Sequence, residues 1–196
     1  FYRLNKMKMK ETFKLLFVLF ILLLNRVEAQ PEWENGVCLQ DSVFSSNVYT
    51  CILSPLESLI DFPVIALGST QLLRLQFDDL DFNAQDYMYS ISHCNADWTI
   101  SDLHGSEYID GFYENYISDF EFSFNTKQAY VHYELNFPNP DFNFTKSGNY
   151  IITVYAPDEN DKILMTKRFM VCDEQLLVAA TLKQATLRVA DLVSTK

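Results

Sequence analysis

The chain has 196 residues, 48% of them hydrophobic and 15% aromatic, which is enough to bury a core. Five Gly and six Pro argue against a collagen-like or low-complexity chain, and 21% charged residues argue against wholesale disorder. A formal net charge of -11 argues against nucleic-acid binding and against a polybasic membrane-surface role, leaving an acidic globular chain of one or two domains.

Residues 1–29 read as a signal peptide. Met7 and Met9 are the candidate starts; Lys8, Lys10 and Lys14 form a basic leader, and residues 15–24 form a uniformly apolar run. That run is shorter than the roughly 20 residues a membrane-spanning helix needs. Its uniform apolarity also disfavours a two-faced surface anchor. The flanking residues place cleavage between Ala29 and Gln30, so the chain is expected to be exported and not itself membrane-spanning. Loss of the leader removes six basic and two acidic residues, making the remainder more acidic.

Residues 30–44 form a lead-in with no assigned element. It holds Cys38, one of four cysteines with Cys51, Cys94 and Cys172. Four cysteines allow three complete pairings, and an oxidising compartment permits a bridge; Cys38 and Cys51, the closest pair, are the candidate disulfide. The alternative is free thiols packed as small hydrophobes. With no Cys-x-x-Cys, a zinc site lacks its usual spacing, and no metal or other cofactor is expected.

Five segments alternate with period two and are rich in aromatic and β-branched residues: 71–77, 87–94, 130–137, 150–155 and 163–172. Gly148-Asn149 is a turn that launches the fourth, and residues 157–161 make a hairpin turn before the fifth. Residues 98–127 read as a long connection. The expected fold is all-β, an antiparallel sandwich of immunoglobulin-like size over 45–175. Residues 178–189 look like a further strand, so 176–196 would be the incomplete start of a second β-domain.

Between Leu75 and Thr126 there are eleven acids and no Lys or Arg. Tyr108, Phe112, Tyr113, Tyr116, Phe120, Phe122 and Phe124 are interleaved with the later ones. Either these rings are binding anchors on a surface that steers a basic partner, or they are core beneath a solvated loop. Asp79, Asp81 and Asn83 mimic the start of an EF-hand, but Ala84 replaces the Gly that the turn needs and Ser90 the bidentate Glu. No esterase elbow, zincin motif or Gly-rich phosphate loop is present, and no catalytic residue is assigned. His93 and Cys94 would point to opposite faces of one strand, which favours a structural His93 over a nucleophile–base pair.

A series of strings is more specific. Phe77-Asp78-Asp79-Leu80, Asp86-Tyr87-Met88-Tyr89, His93-Cys94-Asn95-Ala96-Asp97-Trp98 and Glu107-Tyr108-Ile109-Asp110-Gly111-Phe112 follow in order. Ser123-Phe124-Asn125-Thr126, His132-Tyr133, Phe137-Pro138-Asn139, Ser147-Gly148-Asn149-Tyr150 and Arg168-Phe169-Met170-Val171 continue it. Over residues 45–190 the chain resembles the N-terminal domain of the type IX secretion system plug protein family. The resemblance implies a non-enzymatic periplasmic β-protein, associated with the inner side of the outer membrane. Such a protein docks on a large translocon barrel and seals its pore when cargo is not engaged; no nucleic acid or small-molecule substrate is implied. Asp78, Asp79, His93, Asn95, Asp97, Trp98, Glu107, Tyr108, Asp110 and Phe112 are the motif or partner-binding candidates. The alternative is a carbohydrate-binding module that stacks Trp98, Tyr113 and Tyr116 on sugars.

Overall fold

The computed structural model describes residues 31–81, 83–157 and 161–173. The cleavage site at Ala29 and Gln30, the strand expected over 178–189 and the tip of the 157–161 turn lie outside them.

The strongest alternation produces the two central strands of one sheet. In β6 (Leu73–Asp79) and β11 (Val131–Phe137), every second side chain is buried. They pair antiparallel with Leu75 opposite Leu135 and Phe77 opposite Tyr133. β4 (Val48–Pro55) flanks β6, and β10 (Asp119–Phe122) flanks β11, giving the order β10-β11-β6-β4. The second sheet is built on β13 (Gly148–Ala156), held between β7 (Met88–Cys94) and β14 (Lys162–Cys172). β9 (Glu114–Tyr116) extends it beyond β7. On the other side, β3 (Ser42–Val43) and the parallel strand β5 (Val64–Ala66) share the outer edge of β14.

The two sheets bury one core between them, so the fold is the antiparallel β-sandwich expected. Leu73, Leu75, Phe77, Tyr133 and Phe137 from one layer meet Tyr89, Ile91, Tyr150, Ile152 and Phe169 from the other. Each such side chain contributes about 1.5–3 kcal/mol by leaving water. Phe77 stacks on Tyr133 with ring centroids 5.0 Å apart, and Phe137 meets Phe169 edge-on at 5.3 Å.

Two regions depart from expectation. The connection over 98–127 is structured: a single helical turn α1 (Gly105–Tyr108), β8 (Ile109–Gly111), then β9 and β10. β8 pairs with β12 (Phe142–Phe144) as a small separate ribbon. The lead-in is structured too. β1 (Trp33–Glu34) and β2 (Val37–Cys38) form a hairpin through Asn35 and Gly36, both at positive φ. That is the type I′ geometry which Asn-Gly favours.

This hairpin straps the outer face of the six-stranded sheet. Leu39 packs with Cys94 and Ile151, joined by Val37, Trp98 and Ile100, as a second small core. Arg168 on β14 fastens it: its Nε donates to Leu39 O at 2.6 Å, and its guanidinium lies 4.4 Å from the centre of the Trp98 ring. Glu34 accepts the Ile100 amide, and Thr166 donates to Gln40 O. Arg168→Ala should loosen the strap locally by about 2 kcal/mol, the sum of a charge-assisted hydrogen bond and a cation–π contact. Hydrogen exchange should then speed up over residues 31–44 and stay unchanged in β6 and β11. Uniform acceleration across the domain would instead make Arg168 part of the global fold.

The same layering explains the cysteines. Cys38 is buried in the strap on one side of the sandwich, whereas Cys51 lies on β4 of the opposite sheet. No bridge joins them, and all four cysteines are free thiols. Nearness in sequence misjudged this pair because they belong to different layers.

Candidate functional site

Most of the motif residues build the fold around one corner. His93 turns into the core, where its ring meets Tyr150 edge-on at 5.0 Å and Tyr108 at 5.6 Å. Its Nδ1 lies 2.9 Å from Ser101 Oγ, and burial lowers its pKa. Gly148 leaves room for it: at φ +154, a Cβ there would sit 2.4 Å from His93 Nε2. Cys94 faces the opposite way into the strap cluster, and burial pushes its thiol up to about 12, which removes thiolate chemistry at neutral pH. The two residues do not form a pair.

Asn95, Asp97 and Trp98 shape the turn after β7. The Trp98 amide donates to Asn95 O, and Asn95 N donates to Thr99 O. Asp97 accepts from both the Thr99 hydroxyl (2.6 Å) and its amide (3.1 Å), which holds the carboxyl below its usual range. Asn149 Nδ2 donates across to Asn95 O at 3.0 Å, tying this turn to the start of β13. Trp98 has one ring face covered by Arg168, so of the three rings expected to meet sugars only Tyr113 and Tyr116 are exposed.

The remaining candidates divide between inside and outside. Asp79 is buried, accepting the Tyr87 hydroxyl at 2.6 Å and the Asp81 amide at 3.0 Å. Burial, with that carboxylate, raises the Tyr87 pKa far above its usual value. Asp78 lies on the outer face, 2.7 Å from His132 Nδ1. Glu107 accepts the His104 amide at 2.7 Å and closes the helical turn, while Tyr108 is buried and donates to Ile91 O. Asp110 and Phe112 are exposed on either side of Gly111. The ten residues therefore do not converge on a single site.

What the structure does gather is the aromatic set. Tyr108 is buried, but Phe112, Tyr113, Tyr116, Phe120, Phe122 and Phe124 are exposed, Phe124 at 93%. They follow one lateral edge of the sandwich, because the chain passes from β9 in one sheet straight to β10 in the other through the buried Ile117. Asp110, Glu114, Asp119 and Glu121 are exposed among them. The rings after Tyr108 are surface, so the reading in which they form core beneath a loop does not hold for them. Among the described residues there is no group of metal-ligating side chains, and no helix is long and apolar enough to cross a membrane.

The class these features define is an all-β sandwich with an acidic, ring-studded lateral edge. Residues 48–173 match the family described as type 9 secretion system plug protein 1st domain, and the chain belongs to that family. A solved structure, a hypothetical protein from Parabacteroides merdae ATCC 43184, is 40% identical with a TM-score of 0.65. The alignment covers 67% of this chain and 33% of that one, so the chain spans about a third of that protein's length. No curated protein matches the sequence. The strap over 31–44 lies outside the family match. Its anchor Arg168 stands in the sequence only within the string Arg168-Phe169-Met170-Val171, and its anchoring role was not legible there because its partners Leu39 and Trp98 lie far away along the chain.

Proposed function

We propose that the chain is a plug subunit of the type IX secretion system that seals the periplasmic side of the outer-membrane translocon pore while cargo is absent. On this reading it is exported, sits against the inner side of the outer membrane and acts without catalysis. Membership of the plug family supports the reading. The observation that carries the docking surface is the exposure of six aromatic rings along an edge with no Lys or Arg from Leu75 to Thr126. Rings give a partner desolvated anchors, and uncompensated acids steer a basic surface toward them.

The mechanism is steric. A sandwich cross-braced by one aromatic core resists deformation, so once docked it blocks a wide channel, and it leaves when cargo displaces it. The triple variant D110K/D119K/E121K should keep the fold, because all three side chains are exposed. Co-purification of the barrel from detergent-solubilised envelopes should fall at least tenfold, a loss on the order of 1.4 kcal/mol spread over three reversed charges. Wild-type recovery should itself weaken with rising salt. Undiminished recovery of the barrel with the folded variant would overturn this docking surface.

A further inference from the structure

The lateral strands of the two sheets are not equally protected. β4 closes one side of the four-stranded sheet, and it is broken by a bulge between Tyr49 and Ile52, with Thr50 at φ +52, and ends in Pro55. Bulges and prolines are the usual devices that stop a strand from recruiting another. At the free side of the six-stranded sheet, the outward amide of Tyr116 in β9 is already taken by Asn115 Oδ1 at 2.8 Å. The outer edge of β14 is covered by β3 and β5. β10 carries none of these devices. It has no Pro, no bulge and no Lys, and among the described residues no strand lies beyond it.

Its register fixes which groups face outward. The Ser123 amide donates to Tyr130 O at 2.9 Å, so 123 and 130 are a hydrogen-bonded pair. Alternation along the ladder makes Glu121 with His132 and Asp119 with Glu134 hydrogen-bonded pairs as well. The amide and carbonyl of Phe120, opposite Tyr133, therefore point away from β11 toward solvent. Side chains alternate with the same period. Phe120 and Phe122 lie on the core side, with the Phe120 ring 5.7 Å from Tyr133. Asp119 and Glu121 lie on the outer side beside Glu134 and His132.

We infer that β10 is a strand acceptor: an extended segment of a partner protein, alternating basic and apolar residues, adds to it as a fifth strand. Its backbone would bond to Phe120, its apolar side chains would cover Phe120 and Phe122, and its basic ones would face Asp119, Glu121 and Glu134. Main-chain bonds give such additions their affinity, and alternate side chains give them specificity. The partner is defined by charge complementarity, because the outward face of this edge offers three carboxylates. The inference rests on the docking reading above and names the kind of segment that docks.

The test uses the full chain and a short peptide alternating Val and Lys, with a Val–Glu peptide for comparison. The Val–Lys peptide should slow exchange of the Phe120 amide. Phe120→Pro removes that outward N–H, and proline is tolerated on an edge strand. It should weaken binding at least tenfold, whereas Phe120→Val, which keeps the N–H, should lose about threefold. Equal binding by Phe120→Pro and wild type, protection elsewhere in the chain, or equal binding of the Val–Glu peptide would each overturn the inference. So would pairing of β10 with a second copy, seen as a peptide-free dimer in sedimentation. If the peptide binds at β10 but the barrel is never recovered, the plug reading falls and the acceptor strand stands. If Phe120→Pro recovers the barrel as well as wild type, strand addition falls and the plug reading stands.

Discussion

Tyr150→Ala should destabilise the domain by about 4 kcal/mol, the range found when a large buried aromatic side chain is truncated. Tyr150 is fully buried on β13 and lies in register between His93 of β7 and Phe169 of β14. Its ring stacks on Phe169 at 5.3 Å and meets Phe144 and His93 edge-on at 5.0 Å. Its hydroxyl donates to Lys146 O at 2.7 Å, so the polar end is satisfied as well. With Tyr108 at 5.9 Å as the fourth partner, truncation removes four ring contacts at once and leaves a cavity that neighbours on three strands cannot fill. Tyr150→Phe keeps the rings and loses one hydrogen bond, about 1 kcal/mol. Equilibrium urea denaturation separates the two. A cost for the alanine variant close to that of the phenylalanine variant would show that the ring cluster is not the centre of stability.

Gly111→Ala should cost about 3 kcal/mol or more, for two independent reasons. An L-residue at φ +116 is strained by about 1–3 kcal/mol. In addition, the new Cβ would lie 2.1 Å from Asp141 O and 2.9 Å from Phe142 Cα, both backbone atoms held by the β8–β12 pairing. Gly36→Ala is the control: it shares a positive φ, at +80, but nothing lies within 4 Å of its Cβ. It should cost only about 1–2 kcal/mol, the conformational part alone. Similar values for the two variants, measured by thermal unfolding, would mean that the β8–β12 ribbon yields to the added methyl.

These two residues mark where the sequence was legible and where it was not. β6 and β11 bury one face and half-bury the other, whereas β13 is buried on both faces from Tyr150 to Tyr155 and β14 from Leu164 to Thr166. The alternating residue types still located these strands and β7 within two residues. Alternation fails where strands are short or lack an inside. β10 is exposed at all four positions, so Asp119–Phe122 shows no buried face to read. In β4 the bulge at residues 50–51 shifts the phase halfway along. The strap announced itself only through Asn35-Gly36, because strands of two residues cannot display a period. The motif strings identified the family through residues that mostly hold a turn or a ring cluster together. The exposed rings stood in plain view in the sequence, but their orientation depends on Ile117 carrying the chain from one sheet to the other.

The carboxylates of β10 also settle how copies of the chain treat each other. Two open edges meeting antiparallel would bring Asp119 and Glu121 of one copy against the same residues of the other, and like charges set directly opposite disfavour pairing. A strand left bare for a foreign partner is thereby guarded against its own kind. Crowding many copies together would raise their mutual repulsion rather than seed fibres.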